Sequence, residues 1–169
     1  KNYKDAINCF KKVNKRDPTN HYALNKLGLI YFDLGFNLQA LEYFYKLKEI
    51  NSNYPFLRYN LTCILRSKKI LDLKIKNYEL VKKLLIFLFE NNDVHHDSIS
   101  KNAICFITDK EISKLNLEND DSTFFKENIQ IILNEKLFHL VLQKSLVTEI
   151  FLEKILIKLR HKFLLSIFD

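Results

Sequence analysis

Ala6, Phe10, Val13 and Pro18 are followed, each 34 residues later, by Ala40, Phe44, Leu47 and Ser52. An offset held at four positions is the mark of an internal repeat, and a period of this size points to stacked helical hairpins rather than to a sheet. Residues 21–52 make the complete copy. Leu24, Leu27, Gly28 and Tyr31 fall at helical spacing, a break comes at Gly35, and Ala40, Phe44 and Leu47 form a second helical set. Asp17 and Pro18, then Asn53, Tyr54 and Pro55, punctuate the copy's two ends, because the residue before a proline resists the α region. Gly and Pro number two each, too few turn formers for an all-β chain. With 47% hydrophobic residues there is enough apolar surface for a core. The expected fold is all-α.

The spacing and residue types of residues 6–52 resemble the tetratricopeptide repeat. That resemblance implies two antiparallel helices per unit, with a small residue where they press together, stacked as an α-solenoid. Gly28 takes the small position of the first helix and Ala40 that of the second. A side chain larger than Ala at Gly28 is expected to push the helices apart. The packing signature is then Ala6, Phe10, Pro18, Leu24, Leu27, Gly28, Tyr31, Ala40, Phe44 and Leu47. If His21 is position 1 of a copy, Lys1 is about position 15 of the one before it. The chain has no methionine. It is therefore expected to be an N-terminally truncated piece of a larger protein, opening on a second helix.

A third copy opens at Pro55, with Leu61 and Leu65 apolar and Thr62 in the small position. Arg58 stands where an apolar residue is usual. The pattern then lapses: Lys74 lies 34 beyond Ala40 and Tyr78 lies 34 beyond Phe44. The division expected is therefore 1–69 for the repeats and 70–169 for a non-repeat helical bundle. In the latter, Leu80, Val81, Leu84, Leu85, Leu88 and Phe89 form an apolar stripe from Tyr78 onward. Asn91, Asn92 and Asp93 break it. Asp97 or Ser98 is the expected N-cap of a helix with Ile99, Ala103, Ile104 and Ile107. An acidic loop is expected at 116–122, further helical segments from Ile129, Ile132 and Leu133 and through Leu137, Leu140, Val141 and Leu142, and a last helix capped by Thr148. Residues 135–145 and 151–165 resemble the helical segment that precedes the methyltransferase domain in bacterial repeat–methyltransferase fusions. That likeness implies a catalytic domain beyond Asp169. No strand with a Gly-rich loop occurs here, so no S-adenosylmethionine site is expected within the chain.

The repeat resemblance implies that a protein or peptide partner lies along the concave face, formed by first helices. The candidate groove residues are Tyr22, Asn25, Leu29 and Phe32, then Phe56, Tyr59, Asn60 and Cys63. The leading expectation is a protein-interaction scaffold, with no catalytic residue, cofactor or metal. The alternative is an accessory region of a methyltransferase or glycosyltransferase. A single Asn60 matches the asparagine ladder that sugar transferases with these repeats use to hold a peptide backbone. Weak RNA or DNA binding is the third class, through Lys68, Lys69, Lys74, Lys76, Lys82 and Lys83. The net charge is +7. Lys outnumbers Arg 23 to 4, as an AT-rich genome would favour, and most aromatic residues are expected in the core, so this class ranks last. Cys9, Cys63 and Cys105 are odd in number and set among apolar residues, which fits buried thiols in a reducing, cytoplasmic setting rather than a disulfide or zinc framework. His95, His96 and Asp97 are expected to serve a turn, since adjacent histidines on a helix diverge by about 100°. No apolar run approaches the roughly 18–20 residues of a membrane span.

Overall fold

The computed structural model describes residues 2–67, 77–92, 94–100, 102, 103, 106 and 135–144. Regular structure among them is helical throughout, with no strand. Six helices have defined bounds: α1 Tyr3–Arg16, α2 His21–Asp33, α3 Asn37–Ile50, α4 Leu57–Leu65, α5 Tyr78–Glu90 and α6 Lys136–Lys144. The chain divides into two compact units, Lys1–Leu88 and Phe89–Asp169.

In the first unit α1 packs on α2, α2 on α3, and α3 on α4, while α2 also touches α4. The helices that open successive copies therefore lie side by side. Leu24 and Leu27 of α2, Ala40, Leu41, Phe44 and Leu47 of α3, and Leu57, Leu61, Ile64 and Leu65 of α4 are fully buried. Each buried Leu or Phe contributes about 1.5–3 kcal/mol, which makes this seam the unit's main source of stability. Gly28 of α2 lies directly against the Phe44 ring of α3. A Cβ placed there would lie 2.7 Å from Cζ of Phe44 and 2.8 Å from its Cε1. The limit expected from sequence, nothing larger than Ala, is thus too lenient: Phe44's ring already fills the space that Ala needs.

The 34-residue period recurs in the backbone. Asp17 N–H donates to the Val13 carbonyl at 2.8 Å, and Asn51 N–H to the Leu47 carbonyl at 2.8 Å. Asp17 Oδ1 then accepts the Thr19 N–H, as Asn51 Oδ1 accepts the Asn53 N–H. Both residues are extended, at φ −133° and −148°. Short polar side chains that mimic a backbone turn are what end both helices. Asn20 caps α2 by accepting the Ala23 N–H at 2.9 Å. At the other end of α2, Gly35 N–H bonds the Phe32 carbonyl and Phe36 N–H the Tyr31 carbonyl, both at 2.9 Å. With Gly35 at φ +78° this is a Schellman closure, and its usual apolar clasp is the edge-on contact of Tyr31 and Phe36.

Departures from the period are equally definite. α1 buries nothing: Ala6 and Phe10 are half-buried, Val13 is 39% exposed and Cys9 is exposed. The expectation of a buried Cys9 is corrected. α1 is covered chiefly by α2, whereas α3 lies between α2 and α4. In the third copy Leu57, not position 58, supplies the buried side chain. Arg58 instead turns its guanidinium to the Ser52 carbonyl at 3.1 Å. Thr62 fits the small position by donating its hydroxyl to the Arg58 carbonyl one turn back, at 2.8 Å. α4 starts at Leu57, two residues later than the period places it, because Tyr54 stands where Asn20 caps α2 and offers no short side-chain acceptor.

Within the second unit Asn91 and Asn92 of the expected break follow the end of α5, while its third residue, Asp93, lies outside the described residues. Asp97 and Ser98 are already helical, which corrects their expected capping role; His95 and His96 make the turn, their carbonyls accepting the Ser98 and Ile99 N–H groups. Ile99, Ala103, Phe106, Leu137, Phe138 and Val141 are buried. Lys136 and Lys144, at the two ends of α6, reach the Glu90 carboxylate and the Asn92 carboxamide. Ile104, Cys105, Ile107, Ile129, Ile132, Leu133, Thr148, Lys68, Lys69, Lys74, Lys76, the loop 116–122 and the segment 151–165 lie outside the described residues.

Candidate functional site

One side of α2 is committed to the core through Ala23, Leu24, Leu27 and Gly28, and one side of α4 through Leu57, Leu61, Ile64 and Leu65. Helical geometry then turns the remaining sides outward. On α2 this leaves Tyr22 58% exposed, with Asn25, Leu29 and Phe32 half-buried. On α4 Tyr59 is 68% exposed, with Asn60 and Cys63 half-buried. Phe56, just before α4, is 76% exposed. Of the expected packing residues, Leu24, Leu27, Gly28, Ala40, Phe44 and Leu47 are buried, Tyr31 is half-buried and Pro18 is exposed.

Phe56 was expected as an ordinary helical face residue. It is instead the N-cap of α4, in the left-handed region at φ 61°, ψ 2°, the one non-glycine residue at positive φ among those described. A bulky residue held there costs about 1–2 kcal/mol, and no side-chain cap bond accompanies it. Asn25 is unusual in a second way. Its carboxamide oxygen is buried and accepts no hydrogen bond from the protein; Asn14 Oδ1 and His21 Nε2 share that condition elsewhere. An unpaired buried acceptor costs about 1–3 kcal/mol. Neither feature has a signature in the linear sequence, since both depend on how neighbouring helices meet.

The expected scarcity of surface aromatics is also corrected. Lys26 Nζ lies 5.1 Å from the centre of the Tyr22 ring, whose other neighbour is Phe10 at 6.0 Å. Lys46 lies over Tyr43, Lys48 over Tyr45 and Phe87, Lys82 over Tyr78, and Lys83 over Tyr45. Four of these are i,i+3 or i,i+4 pairs within one helix, where a lysine stem folds back along a ring. Tyr31 and Tyr43 stack with centroids 5.5 Å apart and planes 9° apart. The Lys11 ammonium donates to the Tyr31 hydroxyl, which raises the Lys11 pKa, and burial raises that of Tyr43. Much of the basic surface, Lys82 and Lys83 included, is therefore engaged with the protein's own rings.

His96 serves the turn: its Nε2 is 2.9 Å from the Asn91 carbonyl oxygen and its ring stacks on Phe89 at 5.2 Å. Among the described residues no three His, Cys, Asp or Glu side chains group as metal ligands, and no helix is long and apolar enough to cross a membrane. Cys63 and Cys9 are free thiols. The chain matches no family model, no curated protein and no solved structure.

Proposed function

We propose that this chain is a protein-interaction scaffold of tetratricopeptide type, which holds a peptide along the outward sides of α2 and α4. One observation carries the reading. Tyr22 on α2 and Tyr59 on the neighbouring α4 are both exposed, and Phe56, 34 residues beyond Tyr22, is exposed at the N-cap of α4. Aromatic rings are prominent among the side chains that anchor protein interfaces. They stand here on helices whose other sides are locked into a core, so little ordering is needed on association. The repeated turn after α1 and α3 supports the same reading, because it is the repeat that brings α2 and α4 side by side. Binding is the whole of the mechanism assigned to these residues.

Peptides selected from a displayed random library against the whole chain test this. Amide chemical-shift changes on adding a selected peptide are expected on α2 and α4, at residues 22–32 and 56–63. Changes confined to α1 or α6, or the absence of any selected binder, would refute the reading.

A further inference from the structure

α1 and α3 hold the same place in the 34-residue period, and α1 leaves open a side that α3 closes. On α3 the row Ala40, Tyr43, Phe44 and Leu47 meets α2: Gly28 lies against the Phe44 ring, Tyr31 stacks on Tyr43, and Ala40, Phe44 and Leu47 are fully buried. The equivalent row on α1 is Ala6, Cys9, Phe10 and Val13. There Ala6 and Phe10 are only half-buried, while Cys9 and Val13 are exposed. α2 reaches α1 on the adjoining side, where the Tyr3 hydroxyl donates to Asp33 and the Phe10 ring meets Tyr22. Spacings of three and four residues put the row on one side of the helix. Charged residues flank it in a particular order. Asp5, the one carboxylate on α1, stands near its start; Lys12 and Arg16 stand near its end, and all three are exposed. By helical geometry Lys4, Lys11 and Lys15 fall on the far side, with Lys11 turned to the Tyr31 hydroxyl.

We infer that a second copy of this chain covers that row, its α1 lying antiparallel on the first. The midpoint of Tyr3–Arg16 falls between Cys9 and Phe10. A two-fold axis there sets Ala6 of each copy against Val13 of the other and brings the two Cys9 side chains together. Small residues facing larger ones let the helices come close, and the same patch serves both copies. Charge order selects the antiparallel pairing. It brings each Asp5 beside Lys12 and Arg16 of the other copy, whereas a parallel pairing would set like charges opposite each other. It also selects a second copy over an unrelated helix, because the row and its flanks complement themselves. A helix of 14 residues is about 21 Å long. A contact of that length stays below the ~1,200 Å² of stable interfaces, so the association is weak and reversible. The outward sides of α2 and α4 take no part in it, and the inference does not rest on the scaffold reading.

Sedimentation equilibrium of the whole chain under a phosphine reductant tests this, with a dimer dissociation constant expected between about 10 μM and 1 mM. Bismaleimidoethane, which joins two thiols through thioether bonds, is expected to give a crosslinked dimer on a denaturing gel, and Cys9→Ser to abolish it. Asp5→Lys and Lys12→Asp are each expected to weaken dimerisation at least about tenfold. The two together are expected to dimerise more tightly than either alone. Both substitutions oppose the helix dipole, so poorer folding of α1 would be worse in the double variant, not rescued. A chain that stays monomeric up to about 1 mM, a crosslink that survives Cys9→Ser, or a double variant weaker than the single ones would each overturn the inference. So would a monomeric chain whose α1 amide resonances shift on adding a peptide of residues 21–34, which would give the row to a helix like α2 instead.

Discussion

Substituting Gly28 by alanine sets two effects of known sign against each other. Glycine in the interior of a helix is less favourable than alanine by about 1 kcal/mol, so propensity alone predicts stabilisation. Against this, the new Cβ would stand 2.7, 2.8 and 3.0 Å from three atoms of the Phe44 ring, where carbon atoms normally rest about 3.5–4.0 Å apart. The ring cannot swing into solvent, because Phe44 is fully buried. Forcing it aside is overpacking, at about 1–3 kcal/mol. The expected net effect is a loss near 1 kcal/mol, read in a unit of this size as a fall in melting temperature of about 4–8 °C. Gly28→Leu should cost considerably more and reduce helical content. The decisive comparison is a double-mutant cycle by thermal denaturation. In a Phe44→Leu background the ring is gone, so Gly28→Ala should become neutral or stabilising. If Gly28→Ala raises the melting temperature of the natural chain, or changes it equally in both backgrounds, the close approach of α2 and α3 at this point is wrong.

Two further outcomes follow from the helix ends, beside those stated for the proposed binding surface. Gly35→Ala meets no neighbouring atom, yet it places a side chain at φ +78° and should cost about 1 kcal/mol by chemical denaturation, through backbone strain alone. The Asp17 carboxyl is held below its ordinary value of 3.8, first by the hydrogen bond from Thr19 and then by that from Asn20. A lowered folded-state pKa contributes stability that is present above the unfolded value and lost as pH falls through the folded one. The melting-temperature gap between the natural chain and Asp17→Asn should therefore be widest near neutrality and close below about pH 4; a gap that widens in acid would contradict this.

The all-helical character and the first hairpin were legible in the linear chain because both are local. Leu24, Leu27 and Gly28 share a helix side by spacing alone, and Phe44 falls opposite them by the 34-residue offset. The turn at Gly35 was legible for the same reason, since few residues other than glycine accept its backbone conformation. The outer face was readable only as a set of positions. Tyr22, Asn25 and Tyr59 could be placed on it, but whether their side chains end exposed or buried depends on the helix alongside. Val13 and Cys9 show the same dependence. Val13 keeps the periodic pattern, yet both it and Cys9 stay on the surface because α1 is covered chiefly by α2.

The sequence by itself determined the period, the helices it encodes and the residues that cannot be large, because propensity, spacing and turn chemistry act within a few residues of one another. Tertiary structure alone decided that Ala is already too big at position 28, that Leu57 replaces Arg58 in the core, that Phe56 is left-handed and exposed, and that the Asn25 oxygen lacks a donor. Each of these depends on where a second helix sits to within an ångström, and contacts between helices are set by the packing of many side chains at once.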